Sequence, residues 1–376
     1  MIKGIHLTLL VGPVVVVPVP RLVLDALQSV QVTSSAGGRS ESGFELTFGF
    51  AANSPLNTIF LIAGAQTPML RVIIVATINS VPQVLMDGVM THHEIQPGSP
   101  GGISTLTVMG KDLTKVMALQ DFGGLPYPAM PAEARVALII AKYAPFGMIP
   151  VVIPMFFSDV PIPVDRIPTH EGTDLEYIEE LARNAGYVFY IEPGPVPGTN
   201  TAYFGPQIKV GVPQPALNIG MDAHTNVESL SFRFETSQTT LPIVMIQNSL
   251  TRFPIPIPIP KLNPLQPPLG AISAPITNVT VLRDTAKLSP MAALSRGIAA
   301  ASRSQDAVSG NGSLDVLRYG RLLRARQLVG VRGAGLAFDG LYYVDQVTST
   351  IKPGEFKQSF TLSRNGIVSL VPRVPA

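Results

Sequence analysis

The first hundred residues alternate short apolar stretches with turn signals. Residues 43–50 partly alternate apolar and polar positions, and their three phenylalanines favour a pleated surface. Residues 70–75 are rich in β-branched side chains, and residues 103–109 have the composition of a further strand. Asp87-Gly88 and Pro97-Gly98 are dipeptides that mark turns. These patterns predict a small β-barrel or sandwich.

The middle of the chain changes to a helical period. Apolar residues after Pro131 recur at helical spacing as far as Tyr143. Thr173 followed by Glu176 forms a capping box, an apolar stripe follows it, and Gly186 is a natural stop. Tyr187 then opens a strand. These patterns predict an α+β insert between two β-rich ends.

Proline occupies every second position from Pro254 to Pro260. In an extended chain the missing N–H donors would all lie on one edge, so this segment is excluded from the centre of a sheet. It is either an edge strand or a stiff connector. Because residues 262–268 remain rich in proline with no strand signal, the connector is the favoured interpretation.

The C-terminal part repeats the order of the first. A helix is expected from Pro290 to about residue 305, followed by strands near 341–347 and 356–362. Asp339-Gly340 and Pro353-Gly354 mark turns in the same order as the two turn pairs of the N-terminal region. This order predicts a duplicated β-domain.

Composition indicates an assembled protein with two or three domains. Hydrophobic residues make up 46% of the 376 residues and charged residues 14%, against a usual charged share of about 25%. We therefore expect large, permanent contacts with other subunits. The net charge of +2 argues against sequence-specific nucleic-acid binding. Arginines at 318, 321, 324 and 326 alternate with leucines and are interpreted as a solvated or partner-facing side.

Candidate chemistry is weak throughout. The absence of cysteine excludes disulfides and thiolate metal sites. His92 and His93 fall on a predicted strand, where adjacent side chains face opposite ways and cannot chelate one ion. The glycine-rich residues 330–335 are interpreted as a loop and not as a dinucleotide fingerprint. Acidic residues at the start of the capped helix favour its dipole. No catalytic residue, cofactor or metal is predicted, and neither is a signal peptide or a membrane span.

Three stretches resemble the hub family of contractile-tail baseplates. This family includes the phage late control gene D proteins, the N-terminal part of type VI secretion spike proteins and the hubs of extracellular contractile injection systems. The stretches are residues 171–190, 225–232, and 338–344 with 358–366. The residues that carry the motifs are Thr173, Asp174, Glu176, Gly186, Tyr187, Asp339, Gly340, Tyr342 and Phe360.

The resemblance implies a mainly β fold with an α+β insert and two related β-barrel tube domains of hub type. The first barrel would span residues 1–110 and be completed by a returning strand near 225–235. The insert would span 111–224, returning strands and the proline-rich connector 225–270, and the second barrel 271–376.

The implied function is that of a structural hub. Three chains would form a homotrimer of six barrels that joins the sixfold tail tube to a threefold central spike. Because the chain stops at Ala376 without a spike β-helix, a separate spike protein is expected as a partner, together with the tail tube protein and baseplate components. Assembly would take place in the cytoplasm, within a virion or an extracellular injection particle. A tail-tip cell-wall hydrolase and a glycan-binding tail protein are the alternatives.

Overall fold

A computed structural model describes most of the chain: residues 5–37, 41–50, 60, 69–98, 103–155, 160–164, 167–235, 240–247, 253–259, 266–282, 285, 290–303 and 306–371. The N-terminal strands are β1 (Ile5–Gly12), β2 (Val17–Pro18), β3 (Leu27–Ser35), β4 (Gly43–Phe50), β5 (Arg71–Ile78), β6 (Val81–Gln96), β7 (Ser104–Asp112), β8 (Met148–Val152), β9 (Val188–Pro193) and β10 (Asn200–Gly205). The fold is mainly β, as predicted.

The later strands are β11 (Gln214–Asn218), β12 (Ser229–Phe234), β13 (Thr240–Gln247), β14 (Pro254–Pro258), β15 (Gly270–Ser273), β16 (Asn278–Leu282), β17 (Val308–Asp315), β18 (Leu328–Arg332), β19 (Gly340–Lys352), β20 (Glu355–Arg364) and β21 (Gly366–Ser369). The α-helices are α1 (Arg21–Asp25), α2 (Thr114–Met117), α3 (Ala132–Ala141), α4 (Asp174–Ala185), α5 (Pro290–Arg303) and α6 (Val316–Tyr319).

Two β regions share one order of strands. In the first β region, defined as β1 and β3–β7, neighbouring strands run β3-β4-β7-β6-β5-β1. In the second, defined as β11, β12 and β17–β20, they run β12-β17-β20-β19-β18-β11. Each strand of the first region therefore has a counterpart in the second, in the same chain order. The outermost pair differs, since β1 and β5 are antiparallel whereas β11 and β18 are parallel.

The two regions belong to a single sheet. β19 pairs with β18 near its start, and further along the same edge it pairs with β3 of the first region. Thirteen strands are joined in this way, and the described strands do not close into a barrel. Separate apolar cores nevertheless lie in each region, with Leu85 and Ile351 packed against both.

The turn predicted at Asp87-Gly88 is wrong, because both residues lie inside the long strand β6. Glycine at position 88 lets the backbone of β7 lie close to β6, since a Cβ at Gly88 would clash with the carbonyl oxygen of Lys111. The carboxylate of Asp87 is buried and bound by Arg71. The turn at Pro353-Gly354 is confirmed between β19 and β20, with a φ of 88° at Gly354.

The strand expected near residues 225–235 exists as β12, but its predicted pairing is wrong. β12 pairs with β17 of the second region and not with a strand of residues 1–110. The Phe232 ring stacks on Phe338 at 5.1 Å and lies 5.3 Å from Tyr342. Aromatic packing therefore directs this strand to the second core.

The interpretation of the proline-rich segment as a connector is also wrong for the residues that the structure describes. Residues 254–258 form β14, the edge of a small sheet ordered β14-β13-β16. Ile257 lies opposite Val244 of β13, and both contribute to a core with α5. This apolar contact explains why an edge strand forms despite the missing donors. Residues 260–265 lie outside the described part of the chain.

The part of the chain predicted as an α+β insert has helices, a small sheet and an apolar core. It contains the sheet β8-β10-β9 and helices α3 and α4. Its buried apolar residues include Val136, Ile139, Ile140 and Ile178, which the helical periodicity had placed on inward faces. The helix expected after Pro290 is α5, which ends at Arg303.

Candidate functional site

The capped helix has the geometry that its sequence predicts. The Thr173 hydroxyl accepts a hydrogen bond from the Glu176 backbone N–H at 3.3 Å, and the Glu176 carboxylate accepts one from the Thr173 N–H at 2.9 Å. Gly186 ends α4 in the left-handed conformation, with a φ of 70°. Both caps are structural features, since they complete the backbone hydrogen bonds of the helix ends.

Replacing Thr173 with alanine is expected to lower the free energy of unfolding by about 1 kcal/mol, because the cap bond to Glu176 is lost. Urea unfolding monitored by circular dichroism measures this change. Thr173→Ser keeps the hydroxyl and serves as the matched control. A loss of particle function at unchanged stability would instead make this end of α4 a partner contact.

Asp174 lies in a buried polar cluster that sequence reasoning missed. Its carboxylate is fully buried and bonds to the Lys142 ammonium at 3.0 Å and the Tyr143 hydroxyl at 2.7 Å. His170 Nε2 lies 3.5 Å from the same carboxylate, and the Tyr127 hydroxyl pairs with His170 Nδ1 at 3.0 Å. Burial lowers the pKa of His170, which favours the neutral ring. The cluster links the end of α3 to the start of α4.

Tyr187 anchors the strand after the helix. Its hydroxyl donates to the Pro154 carbonyl at 2.8 Å, and its ring meets the edge of Phe204 at 5.5 Å. Burial raises the pKa of Tyr187 to about 12. The hydroxyl therefore remains a hydrogen-bond donor across the physiological range.

The motif residues Asp339, Gly340 and Tyr342 surround Arg364. This guanidinium is fully buried, donates to the carbonyls of Asp339 and Ala337 at 2.9 and 2.8 Å, and lies 4.4 Å from the centre of the Tyr342 ring. Gly340 has a φ of 134°, and a Cβ there would lie 2.7 Å from Arg364 Nη1. Glycine is therefore required where the guanidinium passes the strand.

Phe360 lies apart from this guanidinium, in the core of the second β region. Its side chain is 4% exposed, and its ring packs over Gly312 of β17. The structure thus places the nine motif residues in two groups, one around α4 and one at the start of β19 and on β20.

A second buried ion pair joins the first β region to the insert. The Arg71 guanidinium binds both oxygens of Asp87, at 2.7 and 2.6 Å, and donates to the Phe146 carbonyl at 2.8 Å. The Asn200 side-chain amide donates to Asp87 at 2.8 Å. Sequence patterns gave no signal for this cluster, because Asn200 is 113 residues from Asp87.

The four arginines do not form one solvated side. Arg326 has a side chain only 6% exposed, stacks 4.1 Å from the centre of the Tyr190 ring and donates to the Ser35 carbonyl at 2.8 Å. It therefore touches both β regions and the insert. Arg324 is exposed and donates to the Gln83 side chain at 3.2 Å.

The remaining candidate sites lie on strands of the large sheet. His92 and His93 are adjacent on β6, and no group of three or more metal-ligating side chains occurs in the described part of the chain. Residues 330–332 belong to β18, so the predicted loop is wrong there, and the bend follows at Gly333. No helix in the described ranges is long and apolar enough to cross a membrane.

Asp112 is expected to make stability depend on pH. Burial raises its pKa to about 6, although the Thr114 hydroxyl and backbone N–H donate to it. Between the unfolded pKa near 4 and the folded value, only the unfolded carboxyl ionises, so stability falls as pH rises through this window. Across this window the free energy of unfolding should fall by about 2 kcal/mol less in Asp112→Asn than in the wild type.

Urea unfolding at about pH 4 and about pH 7 measures this difference. The same substitution at the exposed Asp25, Asp25→Asn, is the matched control. An equal pH dependence in wild type and Asp112→Asn would show that Asp112 titrates normally.

Several strand edges of the sheet have no strand partner among the described residues, including the outer edges of the terminal strands β2 and β11. The edge of β12 that faces away from β17 has no backbone partner in the described chain. The second half of β6 pairs with β7 on one edge, and beyond Val89 no described strand pairs with its other edge. Open edges present unpaired N–H and C=O groups, so the edges of β12 and β6 are candidate assembly surfaces.

Comparison with known proteins identifies tail proteins of the same fold. A tail protein from Neisseria meningitidis MC58 has a TM-score of 0.63 and 13% identity, covering 97% of this chain and 98% of that chain. The 43 kDa tail protein of prophage MuSo2 from Shewanella oneidensis also has a TM-score of 0.63 and 13% identity, covering 96% and 99%. No protein-family model and no curated protein matches the sequence.

A third structure extends the similarity to secretion systems. An Escherichia coli component of the type VI secretion system, described as structurally similar to the T4 bacteriophage tail proteins gp27 and gp5, has a TM-score of 0.53 and 10% identity over 93% of this chain and 76% of that chain. At this level of identity the shared property is the fold. The chain therefore shares the fold of these phage tail and type VI secretion proteins.

Proposed function

We propose that this chain is the structural hub of a contractile tail or injection system. In this role three copies form a ring that joins the sixfold tail tube to a threefold central spike. The observation that carries the proposal is the shared strand order of the two β regions within one chain. Similarity to phage tail proteins over nearly the whole chain supports a structural role in the tail or baseplate.

The internal repeat relates the three chains of the proposed ring to the sixfold symmetry of the tail tube. A ring closes when its repeated contacts are equivalent. Two regions of like order in each chain give six similar units from three chains. We propose that each region forms one tube domain of the ring, with the small sheet of β13, β14 and β16 outside both.

The partners in this proposal are a second and third copy of the chain, a separate spike protein, the tail tube protein and other baseplate components. A charged fraction of 14% is suited to large interfaces. Numerous large apolar side chains are exposed on the isolated chain, including Val164 and Val212, which are 92% and 94% exposed. The particle would be a virion or an extracellular injection machine assembled in the cytoplasm.

Light scattering of the purified chain during size-exclusion chromatography tests the proposal. The expected mass is three times the 40.0 kDa of the chain. Electron microscopy of the particle should place the protein between tube and spike. A stable monomer or dimer in the assembled particle would contradict the trimeric hub.

A further inference from the structure

The join between the two β regions has an unpaired counterpart elsewhere in the chain. β3 pairs antiparallel with β19, residues 30–35 facing residues 346–351. The hydroxyls of Thr33 and Thr348 are 3.0 Å apart across this join. In the shared strand order, β12 corresponds to β3 and β6 corresponds to β19. The corresponding edges of β12 and β6 have no strand partner in the described part of the chain.

The β-bulges fix which residues correspond. The β6–β7 ladder shifts register between Met90 and His92, and the β19–β20 ladder shifts between Val344 and Gln346. His92 is therefore the counterpart of Gln346, which makes Glu94 the counterpart of Thr348 and Ile95 that of Ser349. Bulges are specific features of a fold, so two at equivalent places define a register.

The same ladders align β12 with β3. Following the pairs outward from Met90 leads through Gly110 and Phe44 to Val32, and following them from Val344 leads through Leu362 and Gly310 to Phe232. Phe232 is therefore the counterpart of Val32, and Arg233 is the counterpart of Thr33.

We infer that β12 of one copy pairs antiparallel with the second half of β6 in another copy, with Arg233 opposite Glu94 and Phe232 opposite Ile95. This register is the one in which Thr33 faces Thr348 and Val32 faces Ser349 inside the chain. The inference rests on the proposed trimer and names the strands and residues that form its subunit contact.

The side chains at these positions complement each other on both faces of the strands. Arg233 and Glu94 carry opposite charges, and the Arg233 side chain is 76% exposed in the isolated chain. Side chains directly opposite in an antiparallel pair have Cβ atoms about 5 Å apart, within reach of an ion pair. On the other face, Ile95 is 41% exposed and Phe232 is partly buried, so pairing would cover apolar surface.

The contact is head-to-tail, because each copy offers one β12 edge and one β6 edge. Such contacts generate a ring when the rotation closes. In a ring of three, joins between copies would alternate with the β3–β19 joins inside them. Every neighbouring pair of regions would then be connected by the same type of strand ladder.

Disulfide trapping tests the register, since the chain has no cysteine of its own. The double variant Glu94→Cys/Arg233→Cys is expected to form a covalent trimer under oxidising conditions, because directly opposite Cα atoms lie within disulfide range. The matched control Glu94→Cys/Ser231→Cys shifts one cysteine by two residues on the same face of β12. The diagonal separation of about 7–8 Å there should leave the control largely uncrosslinked.

The possible outcomes separate the register from the trimer. A wild-type trimer by light scattering without selective crosslinking at 94 and 233 would overturn the inferred contact and leave the trimeric hub standing. A wild-type monomer without crosslinked species would overturn both. Selective crosslinking into chains longer than three would support the strand pairing and overturn the closed ring.

Charge reversal gives an independent measurement. Glu94→Arg alone and Arg233→Glu alone should each weaken trimer formation, measured as at least a several-fold higher concentration for half-assembly. The double variant Glu94→Arg/Arg233→Glu should restore assembly towards the wild-type value. Additive losses in the double variant would contradict a direct pair between these residues.

Discussion

Replacing Asp87 with alanine is expected to lower the free energy of unfolding by about 3–5 kcal/mol. The change leaves the Arg71 guanidinium buried without its counter-ion, since the side chains of this pair are 4% and 1% exposed. It also removes one of the two acceptors of the Asn200 side-chain amide, which keeps the Phe146 carbonyl. Chemical denaturation followed by circular dichroism measures the loss. We expect the insert to be affected as well, because Arg71 donates to the Phe146 carbonyl.

The exposed pair of Arg21 and Asp25 provides the matched control. These side chains are 88% and 55% exposed, with 3.8 Å between their closest charged atoms. Asp25→Ala should change stability by about 0.5 kcal/mol or less. Similar losses at both positions would contradict the burial of the Arg71 and Asp87 pair.

Replacing Phe360 with alanine is expected to cost about 3–5 kcal/mol, because it empties part of the core of the second β region. The Phe360 side chain is 4% exposed, whereas Phe253 is 73% exposed and serves as the control for the same substitution. Because the β3–β19 ladder joins the two regions, we expect them to unfold together in a single cooperative transition. The variant should then lower the temperature of that single transition.

Calorimetry distinguishes this expectation from independent regions. A variant with two separated transitions, one at the wild-type temperature, would show that the first region unfolds on its own. Phe253→Ala should leave the transition within the small range of surface substitutions, about 0.5 kcal/mol.

Local patterns in the sequence predicted the elements whose causes are local. The helix from Asp174 to Ala185 has its capping box, apolar stripe and glycine stop within fourteen consecutive residues, and all three are present. Strand β4 shows the alternation expected of its sequence, with Phe44, Leu46 and Phe48 buried. The two β regions do share one strand order, although one of the turns from which the repeat was predicted, at Asp87-Gly88, lies inside β6.

Pairing and buried chemistry depend on residues that are distant in the sequence. A glycine beside an aspartate is typical of a turn, yet at residue 88 glycine permits the approach of β7. The strand at 229–234 was identified, but its partner was decided by the ring of Phe338, more than a hundred residues later. The Asp174 and Asp87 clusters involve partners that no local spacing connects. For this reason the candidate clusters were found only in the structure.

The alternating prolines of β14 have a consequence for the solubility of the chain before it assembles. The Ile259 N–H donates to the Pro242 carbonyl of β13. Because backbone groups alternate in direction along a strand, every second residue counted from Ile259 faces β13, and the backbone groups of Pro254, Pro256 and Pro258 face the open side. That outer edge therefore offers carbonyl acceptors without the alternating donors of an ordinary strand. An incoming strand could donate hydrogen bonds to this edge but would receive none from it. This disfavours cross-β aggregation at the edge while free chains accumulate.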